Sequence, residues 1–403
     1  MTEQALSNVK VLDLTWYIAG PYCTKMLADF GAEVIKVERP GSGDPARSLG
    51  PFLGDDPGPE RSGLFLHLNT NKQGITLNLK TKAGKKIFTE LVKDADILVE
   101  SFSPHVMSGL GLDYQALEKV NSNLVMTSIS NFGQTGPYRD FKATEITIDA
   151  MGHAMSSHGL PDREPLKRGE NCLQYQGGLI AAVATMGAFL VSRLQGVGQQ
   201  VDVSLMETQA GSIDYRTQNL LGYNYTGYEA PRVDIRLGGL CILPYGVYPC
   251  KDGAAQFLMH PVWVERFCQM VGMSEAEFKE RFPDVLDFSR KDEVTAIFLN
   301  WTMPRTKLEV MHQAQAAKCA GTAVYTPEDL LHDPHFKGRG YFVTIDHLAS
   351  GELKYPGAPF TSEQLPWKVR TPAPLLGEHN GEVYRRLGYS QEDLVRLREM
   401  GVI

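Results

Sequence analysis

The chain has 403 residues, of which 43% are hydrophobic and 22% charged, and a formal net charge of −7 at pH 7. This composition is typical of a soluble globular protein, and the length predicts several domains or one large α/β unit with an appendage. The acidic excess argues against binding of nucleic acid or of an anionic membrane. The N-terminal segment lacks the apolar run of a signal peptide, and no apolar stretch reads as long enough to span a membrane, so we expect a cytoplasmic protein.

The cysteines also indicate a reducing compartment. The six cysteines are scattered along the chain without a Cys-x-x-Cys pair, so neither a disulfide framework nor a metal site is expected. A nucleophilic role for Cys172 is open, but we expect this residue to be a small hydrophobe on a buried strand.

The N-terminal part of the chain predicts strands that alternate with helices. A β-rich run at 9–14 is followed by the turn 19–21, a helical segment at 22–30 and a second strand at 33–37. This order is a βαβ unit of the nucleotide-binding type, although no complete Gly-x-Gly-x-x-Gly is present. Lys36, Glu38 and Arg39 stand at the end of the second strand, where a parallel sheet places its ligands. Further strands are predicted at 74–79, 97–100 and 124–130, and a helix at 82–92.

A long apolar stretch follows in the middle of the chain. A loop or strand end around 173–176 precedes the pair Gly177-Gly178, and the pattern then predicts a helix at 179–194 and a strand at 200–204. The glycines allow close approach of backbone segments. The helix is apolar almost all round, so we expect it inside a large core. At about sixteen residues it is too short for a membrane span, which needs roughly 20.

The stretch 165–207 resembles the class III CoA-transferases, the CaiB/BaiF family. The positions that carry the resemblance are Gly178, Leu179, Arg193, Gly196, Gly198, Gln199, Val201, Asp202, Val203, Ser204 and Glu207. The N-terminal stretch from Ala19 to Asp44 and the Tyr-Pro-x-x-Asp-Gly pattern at 248–253 resemble the same family in the same order. The resemblance extends from about residue 8 to the last residue.

The family resemblance implies an α/β fold with a large Rossmann-like CoA-binding domain and a smaller α/β domain. Each chain would close into an open ring that interlocks with a second subunit. The expected parts are the large domain at 1–215, a crossing connection at 216–245, the small domain at 246–326 and a return linker with C-terminal helices at 327–403.

The resemblance fails at the position that carries the chemistry, because Gln174 stands where the family has its nucleophilic aspartate. A carboxylate attacks a thioester and becomes an acyl carrier, whereas a primary amide is a poor nucleophile. Gln174 is therefore predicted to hydrogen-bond a carboxylate or carbonyl group, or to be only a satisfied polar residue.

The resemblance assigns further residues to coenzyme A, which would be a substrate rather than a covalently bound cofactor. These candidates are Ile18, Ala19, Arg39, Lys72, Ser101, Phe102 and Lys142, with Gly238 and Gly239 in a loop that closes over the active site. An exposed lysine is an equally good interpretation of Lys72. Ser101 and Gly109 stand where the family commonly has an asparagine and often an arginine, and both changes weaken the expected CoA site.

Other carboxylates remain as possible nucleophiles. The candidates are Glu145, Asp149 and Glu170, which precede Gln174 in the sequence. The racemase branch of the family pairs a histidine with the nucleophile-position aspartate, but here the dipeptide is Thr144-Glu145, so we do not expect racemisation.

We therefore predict a subunit of a heteromeric CoA-transferase that moves CoA between an acyl-CoA such as succinyl-CoA and a carboxylic acid such as benzylsuccinate. A paralogous partner would supply the aspartate in a heterodimer or heterotetramer. Two alternatives stay open. One is a self-sufficient transferase, a homodimer, that uses another carboxylate such as Glu145, and the other is an acyl-CoA-binding protein without catalysis.

Overall fold

The computed structural model of the protein describes residues 4–211, 215–229, 231, 232 and 241–403. The strands are β1 Lys10–Leu14, β2 Glu33–Glu38, β3 Lys72–Thr76, β4 Ile97–Glu100, β5 Val125–Ser130, β6 Gln199–Ser204, β7 Tyr245–Cys250, β8 Gly253–Leu258, β9 Ala320–Ala323, β10 Phe342–His347 and β11 Gly351–Pro356. The α-helices are α1 Ala19–Asp29, α2 Gly63–Leu68, α3 Lys82–Val92, α4 His105–Leu110, α5 Tyr114–Glu118, α6 Glu145–Met151, α7 Cys172–Gln195, α8 Leu205–Ala210, α9 Tyr215–Thr226, α10 Val264–Val271, α11 Glu275–Arg281, α12 Lys291–Thr302, α13 Lys307–Ala316, α14 Pro327–His332, α15 Pro334–Gly338, α16 Asn380–Arg386 and α17 Gln391–Glu399.

A six-stranded parallel sheet with the order β3-β2-β1-β4-β5-β6 forms the centre of the larger of two compact units. Its inner strands are buried almost throughout, as expected for a parallel sheet with helices on both faces. This strand order is that of the Rossmann fold, and the order reverses between β1 and β4. The predicted parallel α/β fold is confirmed, and the carboxyl ends of β1 and β4 mark the expected place of a ligand.

Local sequence explains how the helices of this unit begin. Thr81 caps α3 by accepting a hydrogen bond from the amide of Gly84, and the apolar residues of that helix face the sheet.

The glycine pair of α7 lies where the helix touches its neighbours. A Cβ on Gly178 would stand 2.4 Å from the carbonyl oxygen of Ala19, and one on Gly177 would stand 2.2 Å from Leu205 Cδ2. Only glycine therefore allows α7 to approach α1 and α8 this closely.

The structure corrects the sequence prediction for α7 in two respects. The helix has 24 residues and begins at Cys172, so the predicted loop at 173–176 is its first turn. By length and composition it could cross a membrane, although one face is buried against the sheet and α1. Its other face is not enclosed by the described residues of this chain. The exposed apolar side chains, with their exposed fractions, are Leu179 49%, Val183 68%, Leu190 57% and Leu194 75%.

The two compact units are assembled from separate parts of the chain. The larger comprises Met1–Ser156, Lys167–Glu229 and Gly338–Ile403, and the smaller comprises Ser157–Leu166 and Ala230–Lys337. In the smaller unit, an antiparallel sheet of β7, β8 and β9 packs with helices around an aromatic core. The open ring, its interlocking with a second subunit and the domain limits at 215, 245 and 326 stay predictions.

Candidate active site

A cavity of about 840 Å³ opens at the carboxyl ends of the central strands, within the larger unit. This volume lies in the range of small-molecule sites, and the position is the one expected for a ligand of a doubly wound sheet. The walls come from residues 16–20, 49, 50, 64, 101–105, 129–131, 139–145, 171, 174 and 205.

The turns after β1 and β4 form one wall together. The amide of Trp16 donates a hydrogen bond to Ser101 Oγ at 2.9 Å, which joins the two turns. The Trp16 ring meets Phe102 edge-on at 5.2 Å between centroids. The guanidinium of Arg39 lies 3.8 Å from the centre of the Trp16 ring, in cation–π geometry. Arg39 does not line the cavity itself but borders it through this stack.

A second group of lining residues carries charged side chains of both signs. Arg139 Nε and His105 Nε2 lie 3.4 Å and 2.8 Å from the same oxygen of Asp140, so these three exposed groups form a cluster. Lys142 is also exposed, and it makes no ion pair with any residue that the structure describes. Lys142 is therefore a cation that an anionic ligand can reach.

Glu145 and Gln174 both line the cavity near the start of α7. The amide of Leu173 donates to Glu145 Oε1 at 2.9 Å, which ties the first residue of α6 to the first turn of α7. Glu145 Oε2 is shielded from solvent and has no hydrogen-bond partner among the described residues, and burial raises the pKa of this carboxyl. The side chain of Gln174 makes no hydrogen bond within the described part of the chain, although it lines the cavity.

The other two candidate carboxylates, Asp149 and Glu170, do not line the cavity. Asp149 is buried and paired with Arg168, with 2.8 Å between Oδ1 and Nη2. Glu170 is exposed on a loop and does not line the cavity. Cys172 is not on a buried strand as expected. It is the first residue of α7 and is exposed, whereas the other five cysteines are buried.

Lys72 does not contact the cavity. Its ammonium group is fully buried and donates to Asp13 Oδ2, Thr24 Oγ1, Asn69 Oδ1 and the carbonyl oxygen of Pro21 at 2.8–2.9 Å. All of its hydrogen-bonding capacity is thus used inside the fold. The predicted phosphate contact of Lys72 does not fit this geometry, and Lys72 has no place in the function proposed below.

The cavity brings together seven of the predicted site residues, which are Ile18, Ala19, Ser101, Phe102, Lys142, Glu145 and Gln174. Gly238 and Gly239 lie outside the described residues. Gly109 is exposed on α4 and does not line the cavity. Sequence reasoning missed Trp16, His105, Arg139 and Asp140. Trp16 had a usable signal, because it follows a predicted strand almost directly.

The fold and the cavity define a Rossmann-like α/β protein with a cavity at the carboxyl ends of its central strands. The chain belongs to CoA-transferase family III, whose family model matches residues 6–380. CoA-transferases of this kind use CoA thioesters as substrates.

Curated relatives match the chain over nearly its whole length. A succinate–glutarate CoA-transferase of Agrobacterium fabrum is 32% identical and covers 95% of both chains. The subunit BbsE of succinyl-CoA:(R)-benzylsuccinate CoA-transferase from Thauera aromatica is 31% identical over 99% of this chain and 98% of its own. The crystal structure of a CaiB/BaiF family protein from Brucella suis superposes with a TM-score of 0.85 at 26% identity, over 96% of this chain and all of that one.

Proposed function

We propose that this chain is the subunit without the nucleophile in a heteromeric CoA-transferase, and that a paralogous subunit carries the catalytic aspartate. The observation that supports the proposal is that Gln174 lines the cavity, since the family resemblance assigns this position to the nucleophilic aspartate. Transfer of CoA through a covalent intermediate begins when a carboxylate attacks the thioester and expels the CoA thiolate as an acyl anhydride forms. The thiolate then attacks the anhydride at the enzyme carbonyl, which leaves CoA on the enzyme and frees the first acid.

An amide cannot perform the first of these steps. The nitrogen lone pair of the Gln174 amide is delocalised into the carbonyl group. The carbonyl oxygen has no formal negative charge, so it is a much weaker nucleophile towards a thioester than a carboxylate oxygen. The side chain can nevertheless donate and accept hydrogen bonds. Gln174 would therefore orient a carboxylic acid or a thioester carbonyl without becoming acylated.

The alternative of a self-sufficient enzyme depends on Glu145, and the geometry disfavours it. One carboxylate oxygen of Glu145 is bonded to the amide of Leu173, and the other is shielded from solvent. A nucleophilic carboxylate needs a free oxygen that can approach the carbonyl carbon of the thioester along the direction of the C=O π* orbital. In this arrangement Glu145 supports the first turn of α7, which carries Gln174, and we assign it that positioning role.

A partner subunit is supported by the exposed face of α7. Leu179, Val183, Leu190 and Leu194 follow the helical repeat and place one apolar stripe along a 24-residue helix. An exposed apolar surface of this length is characteristic of a protein interface. The relative BbsE is itself named as a subunit, which supports a heteromeric assembly, while a homodimer remains the alternative.

The substrates follow from the chemistry of the cavity and from the relatives. Lys142 provides a cation without an ion-pair partner among the described residues, and Trp16 with Arg39 provides a flat stack on which an adenine ring can lie. We propose succinyl-CoA as the donor and a dicarboxylic acid, such as an aromatic succinate, as the acceptor. Two relatives, a succinate–glutarate and a succinyl-CoA:(R)-benzylsuccinate CoA-transferase, support this class.

The test compares the chain alone with the chain co-expressed with a paralogue that has aspartate at the position matching Gln174. CoA transfer from succinyl-CoA to benzylsuccinate and to glutarate is measured, and hydroxylamine trapping with mass spectrometry locates the acylated residue. We expect activity only in the mixed complex, with the hydroxamate on the partner. Turnover by the isolated chain with a hydroxamate on Glu145 would establish the self-sufficient enzyme instead. CoA binding without turnover in either preparation would leave an acyl-CoA-binding protein.

A further inference from the structure

The turn that forms one cavity wall is held by buried polar groups of neighbouring elements. We call residues 15–18, between β1 and α1, the Trp16 turn. Lys36 Nζ donates to the carbonyl oxygen of Thr15 at 2.9 Å, and the amide of Tyr17 donates to Asp44 Oδ1 at 3.1 Å. Tyr17 has φ of +64°, which a non-glycine residue adopts only when its surroundings impose it.

Lys36 and Asp44 form a buried ion pair beneath this turn. Lys36 Nζ lies 2.9 Å from Asp44 Oδ2, and the two side chains are 1% and 0% exposed. Burial by itself would lower the pKa of Lys36, but the carboxylates of Asp44, Asp13 and Glu38 raise it above its usual value. The lysine is therefore charged, and each member of the pair binds one end of the Trp16 turn.

Glu38 and Arg47 hold the Lys36–Asp44 ion pair in place. The amide of Asp44 donates to Glu38 Oε2 at 2.8 Å, and Glu38 receives two hydrogen bonds of 2.8 Å from the guanidinium of Arg47. None of these four side chains lines the cavity. The sequence expectation that Lys36 and Glu38 contact a ligand at the end of β2 does not fit this arrangement, because their charges are neutralised inside the fold.

We propose that Asp44 and Lys36 are positioning residues for the nucleotide part of CoA, and that they act through the Trp16 turn, which forms the wall where we place this part of the ligand. This inference rests on the function proposed above. Removing either charge leaves the other buried without its counterion. In Asp44→Asn the amide cannot neutralise Lys36, and its NH2 group faces the ammonium group, so the contact that holds the positive φ at Tyr17 is weakened and Trp16 shifts with its Arg39 stack.

The test uses Asp44→Asn and, as a matched control, Lys25→Met. Lys25 pairs with Asp29 at 2.9 Å, and this pair is as deeply buried but does not contact the Trp16 turn. We measure the Kd for CoA by calorimetry and the amide hydrogen exchange of residues 15–20, in the proposed complex and in the chain alone. Asp44→Asn is expected to weaken CoA binding about tenfold or more and to speed exchange in the turn. Lys25→Met is expected to lower Tm without either effect.

A second pair of variants serves if Asp44→Asn does not fold. Tyr17→Pro removes the amide that binds Asp44 and forbids the positive φ, whereas Tyr17→Ala removes only the side chain. Weaker CoA binding in the proline variant than in the alanine variant supports the inference. Equal Kd values in both pairs, with unchanged exchange at 15–20, would overturn it. If the wild-type protein binds no CoA, the proposed function fails, and the exchange measurement alone decides on the positioning of the turn.

Discussion

Two residues in the larger unit, Gln174 and Glu100, show how a single functional group decides chemistry or stability. Gln174 has a neutral amide in the first turn of α7, where the family resemblance leads us to expect a carboxylate. Glu100 is an acid at the end of β4, 3% exposed, and its Oε2 accepts the amide of Phe102 at 2.8 Å beneath the cavity wall. Gln174 has no negative charge with which to carry an acyl group, and Glu100 is a buried acid that is costly to ionise.

Gln174→Asp is expected to give the isolated chain an acyl carrier. The variant is incubated with succinyl-CoA, and trapping with hydroxylamine is followed by mass spectrometry of the peptide that contains position 174. We expect a covalent adduct in a substantial fraction of molecules, because a carboxylate there can attack the thioester. Gln174→Asn changes the length equally without adding a nucleophile, so it should give no adduct. No adduct in the aspartate variant, despite measurable CoA binding, would mean that the thioester does not reach this position.

Glu100 is expected to make the protein less stable as the pH rises through the neutral range. Burial raises its pKa from 4.5 to about 7 in the fold, with the charge of Asp202 adding to the effect. Because the folded pKa lies above the unfolded one, unfolding releases a proton between these values. The free energy of unfolding therefore falls from about pH 4.5 and levels off above pH 7, by about 3 kcal/mol at most.

Glu100→Gln tests this dependence by urea unfolding between pH 5 and 8. The difference in unfolding free energy between the variant and the wild type should grow in favour of the variant as the pH rises. Glu118→Gln, at an exposed position on α5, changes the charge equally and should leave the pH profile unaltered. Parallel profiles for wild type and Glu100→Gln would contradict the prediction.

At the scale of the element, α7 combines a close contact with an open face. Gly178 lies against the carbonyl oxygen of Ala19, whereas a Cβ on Gly187 of the same helix would have no neighbour within 4 Å. The two glycines therefore have opposite roles. The first permits packing, and the second only adds conformational freedom to the unfolded chain.

Gly178→Ala is expected to lower the free energy of unfolding by about 1–3 kcal/mol, since the new methyl group would force α7 away from α1. Gly187→Ala should raise it by about 0.5–1 kcal/mol, the usual gain in helix propensity. Both are measured by denaturant unfolding of the isolated chain. Equal effects of the two substitutions would contradict the packing role of Gly178.

At the scale of the whole molecule, no segment among the described residues covers the apolar stripe of α7. Val183→Asp and Leu190→Asp together place two charges on this stripe. We expect loss of the partner subunit, seen as a drop in mass by light scattering, with little change in unfolding of the chain itself, because both side chains are exposed.

Leu348→Asp is the control for that experiment, because Leu348 is 86% exposed in the connection between β10 and β11. It should leave the assembly intact. If the α7 double variant retains the mass of the wild type, the stripe is not the interface.

Much of the fold could be predicted because it is encoded in neighbouring residues. The buried runs of β1, β2 and β4, the capped helix α3 and the glycine pair of α7 each have a local pattern that sterics and burial explain. The sequence also indicated that Gln174 belongs to the site, since it lies in a dense run of family-like residues. The sequence did not predict that Gln174 is helical, because no local signal showed that α7 extends through the glycines back to Cys172.

The sequence by itself determined the α/β class, the family and the absence of a carboxylate at position 174, since each depends on residue types in a fixed order. Only the tertiary structure decided that the charges of Lys72, Lys36 and Asp44 are paired inside the fold. It also decided that Glu145 accepts a hydrogen bond from the amide of Leu173. The physical reason is that the solvation and pairing of a charge depend on residues distant in the chain. A sequence pattern identifies the charge but does not specify which atoms surround it.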